Sequence, residues 1–346
     1  MLYALHRVGA DVPSSYAAWL VAAVRRERRP LPGLYDGLHG VALTLELLGH
    51  RAEALEVLDR CRAVDEHPPT ADLASGTAGV ALNLLHFATV TADTALHDRA
   101  LRHAAALGRL VEDGPLPALR GRPAPHGLLH GPTGIALFFL RLYEETGQTR
   151  WLGLADTALQ HDLARLRTLP DGAVTLSGGS GELPYLHGGS TGLVPVLRDL
   201  LAHRPDPGRA ALLTALRRTC DPVYVHNAGL LRGRAGAIAM LAALGETDHH
   251  RAVRRQVRRL SWHALLHQGH LAFPGFRLLR LSSDLATGSA GVLLALSSAC
   301  EGSGPVLPFL APRSVTVAPR KGGDRHGGDP GTAGAGRGGD ARSVAV

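Results

Sequence analysis

Charged and titratable side chains recur just before short glycine turns in this sequence. Asp36, Asp72, His130, Arg232 and Asp284 each lie within four residues of the first glycine of a Gly-x-x-Gly motif. Histidine transfers protons near neutral pH, arginine stabilises an oxyanion, and paired carboxylates at helix starts are suited to glycoside hydrolysis. A short acidic side chain before a helix is also an ordinary cap. The residue types alone therefore leave proton transfer, glycoside hydrolysis and simple capping open.

The motif that must position these side chains occurs six times. Each copy opens a mostly apolar run, and the first glycines are Gly37, Gly76, Gly131, Gly189, Gly233 and Gly288. Glycine lets the backbone turn sharply and approach another backbone, and the free N–H groups of a helix start attract an anionic group. Tight packing is enough to explain any single pair of glycines. Six copies with similar flanks instead indicate a repeat architecture.

The segments between the motifs have the pattern of amphipathic helices. Residues 95–112, 150–167 and 251–267 carry apolar side chains at three- and four-residue spacing. Apolar helices surrounded by amphipathic ones predict two concentric layers, which is an all-α fold of the α/α toroid type, with almost no strand signal. The arginines of residues 251–259 indicate either a solvated face or a docking face for an acidic peptide.

The chain resembles the lanthionine synthetase C-like family and, more narrowly, the cyclase domain of class III lanthipeptide synthetases. The resemblance covers residues 1–310, and its most specific stretches are GLLHGPTGIALFFLRLYEETG (127–147), GHLAFPGFRLLRLSSDLATGSAGVLLAL (269–296) and LPFL (307–310). Toroids of that family have seven inner helices. Six complete units and a remnant at residues 2–23 therefore imply an incomplete first hairpin, with a gap or a loose helix there, in a piece of a longer synthetase. Residues 311–346, rich in glycine and arginine, are predicted to be a disordered tail.

The resemblance implies an enzyme that forms carbon–sulfur bonds. Such cyclases add a peptide cysteine thiol to dehydroalanine or dehydrobutyrine, giving lanthionine, and in class III also the carbocyclic labionin. The implied partners are a dehydrated ribosomal precursor peptide and the kinase and lyase domains of a full-length synthetase. The alternative is a non-catalytic helical toroid that binds peptide, a truncated remnant of such a synthetase.

The resemblance also implies the residues of the site. Zinc-dependent relatives use two cysteines and a histidine, and these positions fall on His187, Leu231 and Arg232, so we expect a zinc-independent enzyme without a cofactor. The aspartate and the histidine of the family match Asp72 and His130. We expect catalytic roles for His130, Asp72, His187 and Arg232, and substrate binding by Tyr185, Arg234 and His39.

Composition adds weaker expectations. The net charge is +7, from 37 basic and 30 acidic residues, and the segment from Ala311 onward contributes six of the former and three of the latter. The remaining surplus is small, so no nucleic-acid partner is expected. The three cysteines show no metal or disulfide spacing, which favours a reducing cytoplasm. No long apolar stretch predicts a membrane span.

Overall fold

The protein is built almost entirely from helices. The computed structural model describes residues 1–29, 31–65, 68–116, 124–170, 172–177, 184–244, 247–301 and 306–311. In chain order, the helices of this part are α1 (Leu2–Arg7), α2 (Ser14–Arg26), α3 (Leu38–Leu47), α4 (Arg51–Asp65), α5 (Thr77–Thr91), α6 (Thr94–Glu112), α7 (Gly127–His130), α8 (Pro132–Thr146), α9 (Thr149–Leu163), α10 (Leu193–His203), α11 (Pro207–Thr219), α12 (Arg234–Leu244), α13 (Thr247–Leu260) and α14 (Ser289–Glu301).

The apolar helices form a closed inner ring. Helix α3 contacts α5, α5 contacts α8, and α8 contacts α10; the 3₁₀ turn Ser190–Gly192 before α10 contacts α12, which packs on α14. Helix α1 contacts both α14 and α3 and so closes the circle. The longer amphipathic helices α4, α6, α9, α11 and α13 each pack on the preceding inner helix. The predicted α/α toroid is confirmed, and α1 is its short seventh inner helix.

The second glycine of each turn lets neighbouring repeats approach closely. A Cβ on Gly134 would lie 2.7 Å from the Cβ of Leu73 in the preceding repeat and 2.3 Å from the Leu128 carbonyl oxygen. No larger residue fits there without moving the adjacent inner helix. The same approach joins Gly79 to Leu34, Gly192 to Leu128, Gly236 to Leu186 and Gly291 to Leu230.

Backbone hydrogen bonds place the six glycine turns side by side on one rim. The residue two positions before each first glycine bonds to its counterpart in the next turn: Tyr35 N to Ala74 O, Ala74 N to Leu129 O, Leu129 N to His187 O, His187 N to Leu231 O, and Leu231 N to Ala286 O, all 2.9–3.0 Å. The side chains that flank the motifs therefore converge on one end of the toroid.

Two short antiparallel hairpins interrupt the helical pattern. Strand β1 (Leu166–Thr168) pairs with β2 (Val174–Leu176), and β3 (Leu265–His267) pairs with β4 (His270–Ala272). The helices predicted over 150–167 and 251–267 accordingly end earlier, at Leu163 and Leu260. Strands of three residues are too short for an alternating apolar–polar pattern to be recognised in the sequence.

A buried ion network ties the C-terminal segment to the ring. Arg141 of α8 is fully buried and donates to Glu144, to Asp199 of α10 and, at 2.7 Å, to the Phe309 carbonyl oxygen. Val306, Leu307 and Leu310 are buried in the same core. Residues 306–310 are thereby fixed against the inner helices. Residues 312–346, which hold nearly all of the predicted tail, lie outside the described residues.

Helix α1 is held in place beside a cavity. Ala4 is buried and the Tyr3 hydroxyl donates to the Val306 carbonyl oxygen at 3.3 Å, so the expected loose helix is not seen. A cavity of about 670 Å³ lies between α1, α2 and α3, with Trp19 and Tyr35 among its lining residues. Within the described part of the chain, no helix is long and apolar enough to cross a bilayer.

Candidate active site on the glycine-turn rim

His130 and Asp72 come from neighbouring turns and meet on the rim. His130 ends the short helix α7 and precedes the first glycine of its turn, whereas Asp72 lies in the turn before α5. The distance from His130 Nδ1 to Asp72 Oδ2 is 3.2 Å, and the Ser75 amide donates to Asp72 Oδ1 at 2.8 Å. The Asp72 side chain is 9 % exposed and that of His130 is 42 % exposed. A buried carboxylate thus holds a histidine that remains accessible to a substrate.

The same contacts set the charge on Asp72. Burial alone would raise the pKa of Asp72, but the hydrogen bonds from His130 and the Ser75 amide outweigh it and hold the pKa below its ordinary value. The carboxylate is therefore ionised at neutral pH and accepts from His130 Nδ1–H. This hydrogen bond fixes the tautomer and leaves the Nε2 lone pair of a neutral His130 free.

His187 and Arg232 form a second pair on the two following turns. A terminal nitrogen of the Arg232 guanidinium donates to His187 Nε2 at 3.0 Å. Burial first, and then the positive charge of Arg232, lower the pKa of His187 to about 3. Because a guanidinium only donates, Nε2 is the unprotonated nitrogen of a neutral imidazole. His187 thus cannot deliver a proton at neutral pH, but it can hold the exposed Arg232 in one orientation.

The two pairs are in contact. The His130 and His187 rings lie edge to face with their centroids 4.9 Å apart. The two turns approach closely in the backbone as well, since a Cβ on Gly127 would lie 2.5 Å from the Cα of Gly188. Asp72, His130, His187 and Arg232 therefore form one continuous surface across four turns, although 160 residues separate the first and last of them.

One further polar contact extends this surface, and it involves Ser75, which the residue types alone do not single out. The Ser75 hydroxyl donates to Asp36 Oδ2 at 2.5 Å. Ser75 occupies in its turn the position that His130 occupies in the next, immediately before the first glycine. Asp36, Ser75 and His130 each directly precede the first glycine of their turns. This shared position is the sequence signal that indicates a role for Ser75.

Two expected substrate-binding residues are buried instead. His39 is completely buried, and Asn83 Nδ2 lies 3.0 Å from its Nδ1. Arg234 is also completely buried, and it donates to Gln256 and to the Val223 carbonyl oxygen. Neither side chain has a surface that a substrate can touch, so both expectations are corrected: these residues join helices rather than bind peptide.

Tyr185 remains accessible on the rim. It lies in the same turn as His187 and is half-buried, and burial raises its pKa despite a hydrogen bond with Asn227. Its phenol therefore stays protonated and can donate to a substrate carbonyl.

The side chains around His187 do not suit a zinc ion. The nitrogen that a metal would take already accepts from the Arg232 guanidinium, and a fixed positive charge there disfavours a cation. Among the described residues, no three His, Cys, Asp or Glu side chains gather as a ligand set. Cys61 and Cys220 are buried, and burial raises the pKa of Cys220 to about 12.

Comparison with known proteins gives the family. The family model described as lanthionine synthetase C-like protein matches residues 122–301, just over half of the chain. A probable SapB synthase from Streptomyces coelicolor A3(2) is 41 % identical over 321 residues, covering 90 % of this chain and 34 % of that protein. The chain thus spans about a third of the length of this curated relative.

A solved structure is also similar. Nisin cyclase superimposes with a TM-score of 0.48 at 10 % identity, covering 82 % of this chain and 92 % of that one. The match to the family model, which includes the turns of His130, His187 and Arg232, is the finding that assigns the family. This chain belongs to the lanthionine synthetase C-like family.

Proposed function

We propose that this chain is a zinc-independent lanthipeptide cyclase domain of the class III type. It adds the cysteine thiols of a dehydrated precursor peptide to dehydroalanine or dehydrobutyrine, forming lanthionine or labionin rings. The observation that carries the proposal is the contact of accessible His130 with buried, ionised Asp72 on the rim. The name of the relative that is 41 % identical, a probable synthase, supports the reaction class.

The first step is removal of the thiol proton. A free thiol is only a few per cent ionised at neutral pH, so a base must be supplied. His130 Nε2 takes the proton from the cysteine sulfur, while Nδ1–H of the same ring remains hydrogen-bonded to the Asp72 carboxylate. The carboxylate stabilises the imidazolium that results, as an opposite charge at hydrogen-bond distance does.

The second step forms the thioether. The sulfur attacks the β-carbon of the dehydroamino acid, and the electron pair of the double bond moves to the carbonyl oxygen as an enolate. Arg232, fixed by His187, donates to this oxygen and stabilises its charge. The His130 imidazolium then returns its proton to the α-carbon. Alternatively, the α-carbon of the enolate attacks the β-carbon of a second dehydroalanine. This forms a carbon–carbon bond and a second enolate, whose α-carbon takes the proton from His130 to give labionin.

His187 acts as a positioning residue and not as an acid or a base. Its neutral ring orients Arg232 and packs on His130. Tyr185 binds the peptide next to the reacting groups. The kinase and lyase domains of a longer synthetase would supply the dehydrated peptide.

The test is a reaction of the purified chain with a chemically dehydrated peptide that carries one cysteine. Cyclisation leaves the mass unchanged but removes the thiol, so treatment with an alkylating reagent followed by mass spectrometry separates ring from linear peptide. We expect loss of alkylation over time. A folded chain that binds the peptide by anisotropy yet never consumes its thiol would instead be the non-catalytic peptide-binding toroid.

A further inference from the structure

Exposed apolar side chains are concentrated in one segment of the chain. Of fifteen exposed large apolar side chains in the described residues, eight belong to residues 262–281, which we call the apolar patch. They are Trp262, Leu265, Leu266, Leu271, Phe276, Leu278, Leu279 and Leu281. An apolar cluster of this kind on a surface marks a site of interaction more often than scattered single residues do.

The β3–β4 hairpin of the patch buries neither of its faces. Leu266 and Leu271 are directly opposite each other across the strands, and they are 80 % and 70 % exposed. A two-stranded hairpin that packs on nothing is marginally stable in water. Both of its outer edges also present unpaired backbone groups that another chain can bond.

The loop after the hairpin holds its side chains outward at a conformational cost. Arg277 and Leu278 have φ of 55° and 59°, a left-handed conformation that is unfavourable for residues with a Cβ. Strained backbone of this sort is found most often at binding sites. The two residues separate Phe276 from Leu279, which is 79 % exposed.

The two ends of the patch contact the starts of two inner helices. At one end, Trp262 and His263 contact Arg234, the first residue of α12. At the other, the Ser282 carbonyl oxygen accepts from the amide of Ser289, the first residue of α14. These two helix starts belong to the fifth and sixth turns, and Arg232 lies in the fifth. A chain bound at His130 and Arg232 has the patch within reach of its next residues.

The positive charge of the patch indicates the chemistry of its binding partner. Residues 262–281 contain Arg277 and Arg280 and no Asp or Glu. The next carboxylate along the chain, Asp284, accepts hydrogen bonds from Ser282 and Thr287 within its own turn. An apolar surface with only positive charge is complementary to a segment that combines leucine-like side chains with acidic ones. A second copy of the chain would bring like charges together.

We propose that the apolar patch binds an acidic, leucine-rich segment of the substrate peptide, away from the residues that react. The identification of this partner as substrate rests on the proposed function, whereas the binding itself does not. Anchoring a remote segment beside the rim raises the local concentration of the reactive part and orders it for the reaction.

Binding is tested with a fluorescein-labelled synthetic peptide of leucine and glutamate that has neither cysteine nor dehydroalanine. We expect saturable binding to the whole chain, weakened about tenfold or more in Leu266→Ser/Leu279→Ser and also in Arg277→Gln/Arg280→Gln. Binding should weaken with added salt. Leu55→Ser and Arg102→Gln, exposed positions on the outer helices α4 and α6, should bind as the wild type does.

Three results would overturn the proposal. They are equal binding of a lysine–leucine peptide, patch variants that bind like the wild type, and a wild-type dimer that the leucine variant converts to a monomer in light scattering. Selective sedimentation with anionic vesicles, without peptide binding, would assign the patch to a membrane surface instead. Because the probe cannot cyclise, binding without any cyclase activity would contradict the proposed function and leave the patch assignment standing.

Discussion

Nδ1 of His130 lies 3.2 Å from Oδ2 of Asp72, although 58 residues separate the two along the chain. The ring of backbone hydrogen bonds produces this proximity, since Leu73 N and Ala74 N both donate to Leu129 O. The two side chains flank residues that are fixed against each other. Their relationship is thus a property of the toroid and not of one flexible loop.

Replacing Asp72 by Asn should slow cyclisation while the protein remains folded. The carboxamide cannot stabilise an imidazolium, so we expect the cyclisation rate to fall at least about tenfold, equivalent to ~1.4 kcal/mol. The rate is measured by thiol alkylation and mass spectrometry. An unchanged rate with a normal fold would mean that Asp72 only stabilises its own turn through the Ser75 amide.

His187 should make the protein less stable as the solution becomes acidic. Its pKa is about 3 when folded against 6.5 for an ordinary histidine, so below about pH 6.5 the unfolded chain binds a proton that the folded chain does not. The stability that neutral His187 contributes is complete above that pH and is lost as the pH falls toward 3. His187→Asn, which cannot titrate, should therefore show a flatter dependence of the free energy of unfolding on pH.

Urea unfolding at a series of pH values measures this difference. His97→Asn, on the outer helix α6, is the matched control and should leave the wild-type slope unchanged. An identical slope in wild type and His187→Asn would contradict the burial of a neutral His187.

Arg141→Met should be strongly destabilising. The change removes the fully buried guanidinium that joins Glu144 and Asp199, although His203 and Arg198 still contact these carboxylates. Breaking a buried ion network by removing one partner typically costs about 3–5 kcal/mol. Arg25→Met removes an exposed ion pair with Glu56 and should have little effect. Guanidinium unfolding of both variants checks the contrast, and a small change for Arg141→Met would mean that the network is not important for stability.

Purified protein washed with chelator should hold no stoichiometric zinc and keep its activity. The reason is the occupied His187 nitrogen and the guanidinium beside it. Elemental analysis and the alkylation assay, each before and after chelation, measure both quantities. One tightly bound zinc per chain, with activity lost on its removal, would refute zinc independence.

The positions of the inner helices could be predicted from the sequence because their starts depend on local chemistry. Gly76 and Gly131 each precede an inner helix in the structure, since a Cβ at either would meet the backbone of its own turn. The proximity of Asp72 and His130 has the same origin, because the turns that open consecutive inner helices line one rim of a ring.

The burial of His39 and Arg234 could not be predicted in the same way. His39 precedes the second glycine of its motif and Arg234 follows the first, whereas His130 and Arg232 precede the first. Asp72, His130, His187 and Arg232 all precede the first glycine of their turns and lie on the rim. Arg234 and His39 follow it by one and two residues, and their side chains are buried among the helices. The motif predicts where the chain turns, but the direction of each side chain depends on how neighbouring turns pack.

The rate of thioether formation by His130→Asn is the sharpest test of His130 as the group that transfers the proton. Asn keeps a polar side chain but cannot carry the proton, and loss of one proton-transfer group typically costs about 10²–10⁴ in rate. The measurement is alkylation and mass spectrometry of a dehydrated peptide with wild type, His130→Asn and the control His97→Asn, all shown to be folded by circular dichroism. We expect a loss of that size in His130→Asn alone. Cyclisation by folded His130→Asn at the wild-type rate would contradict it.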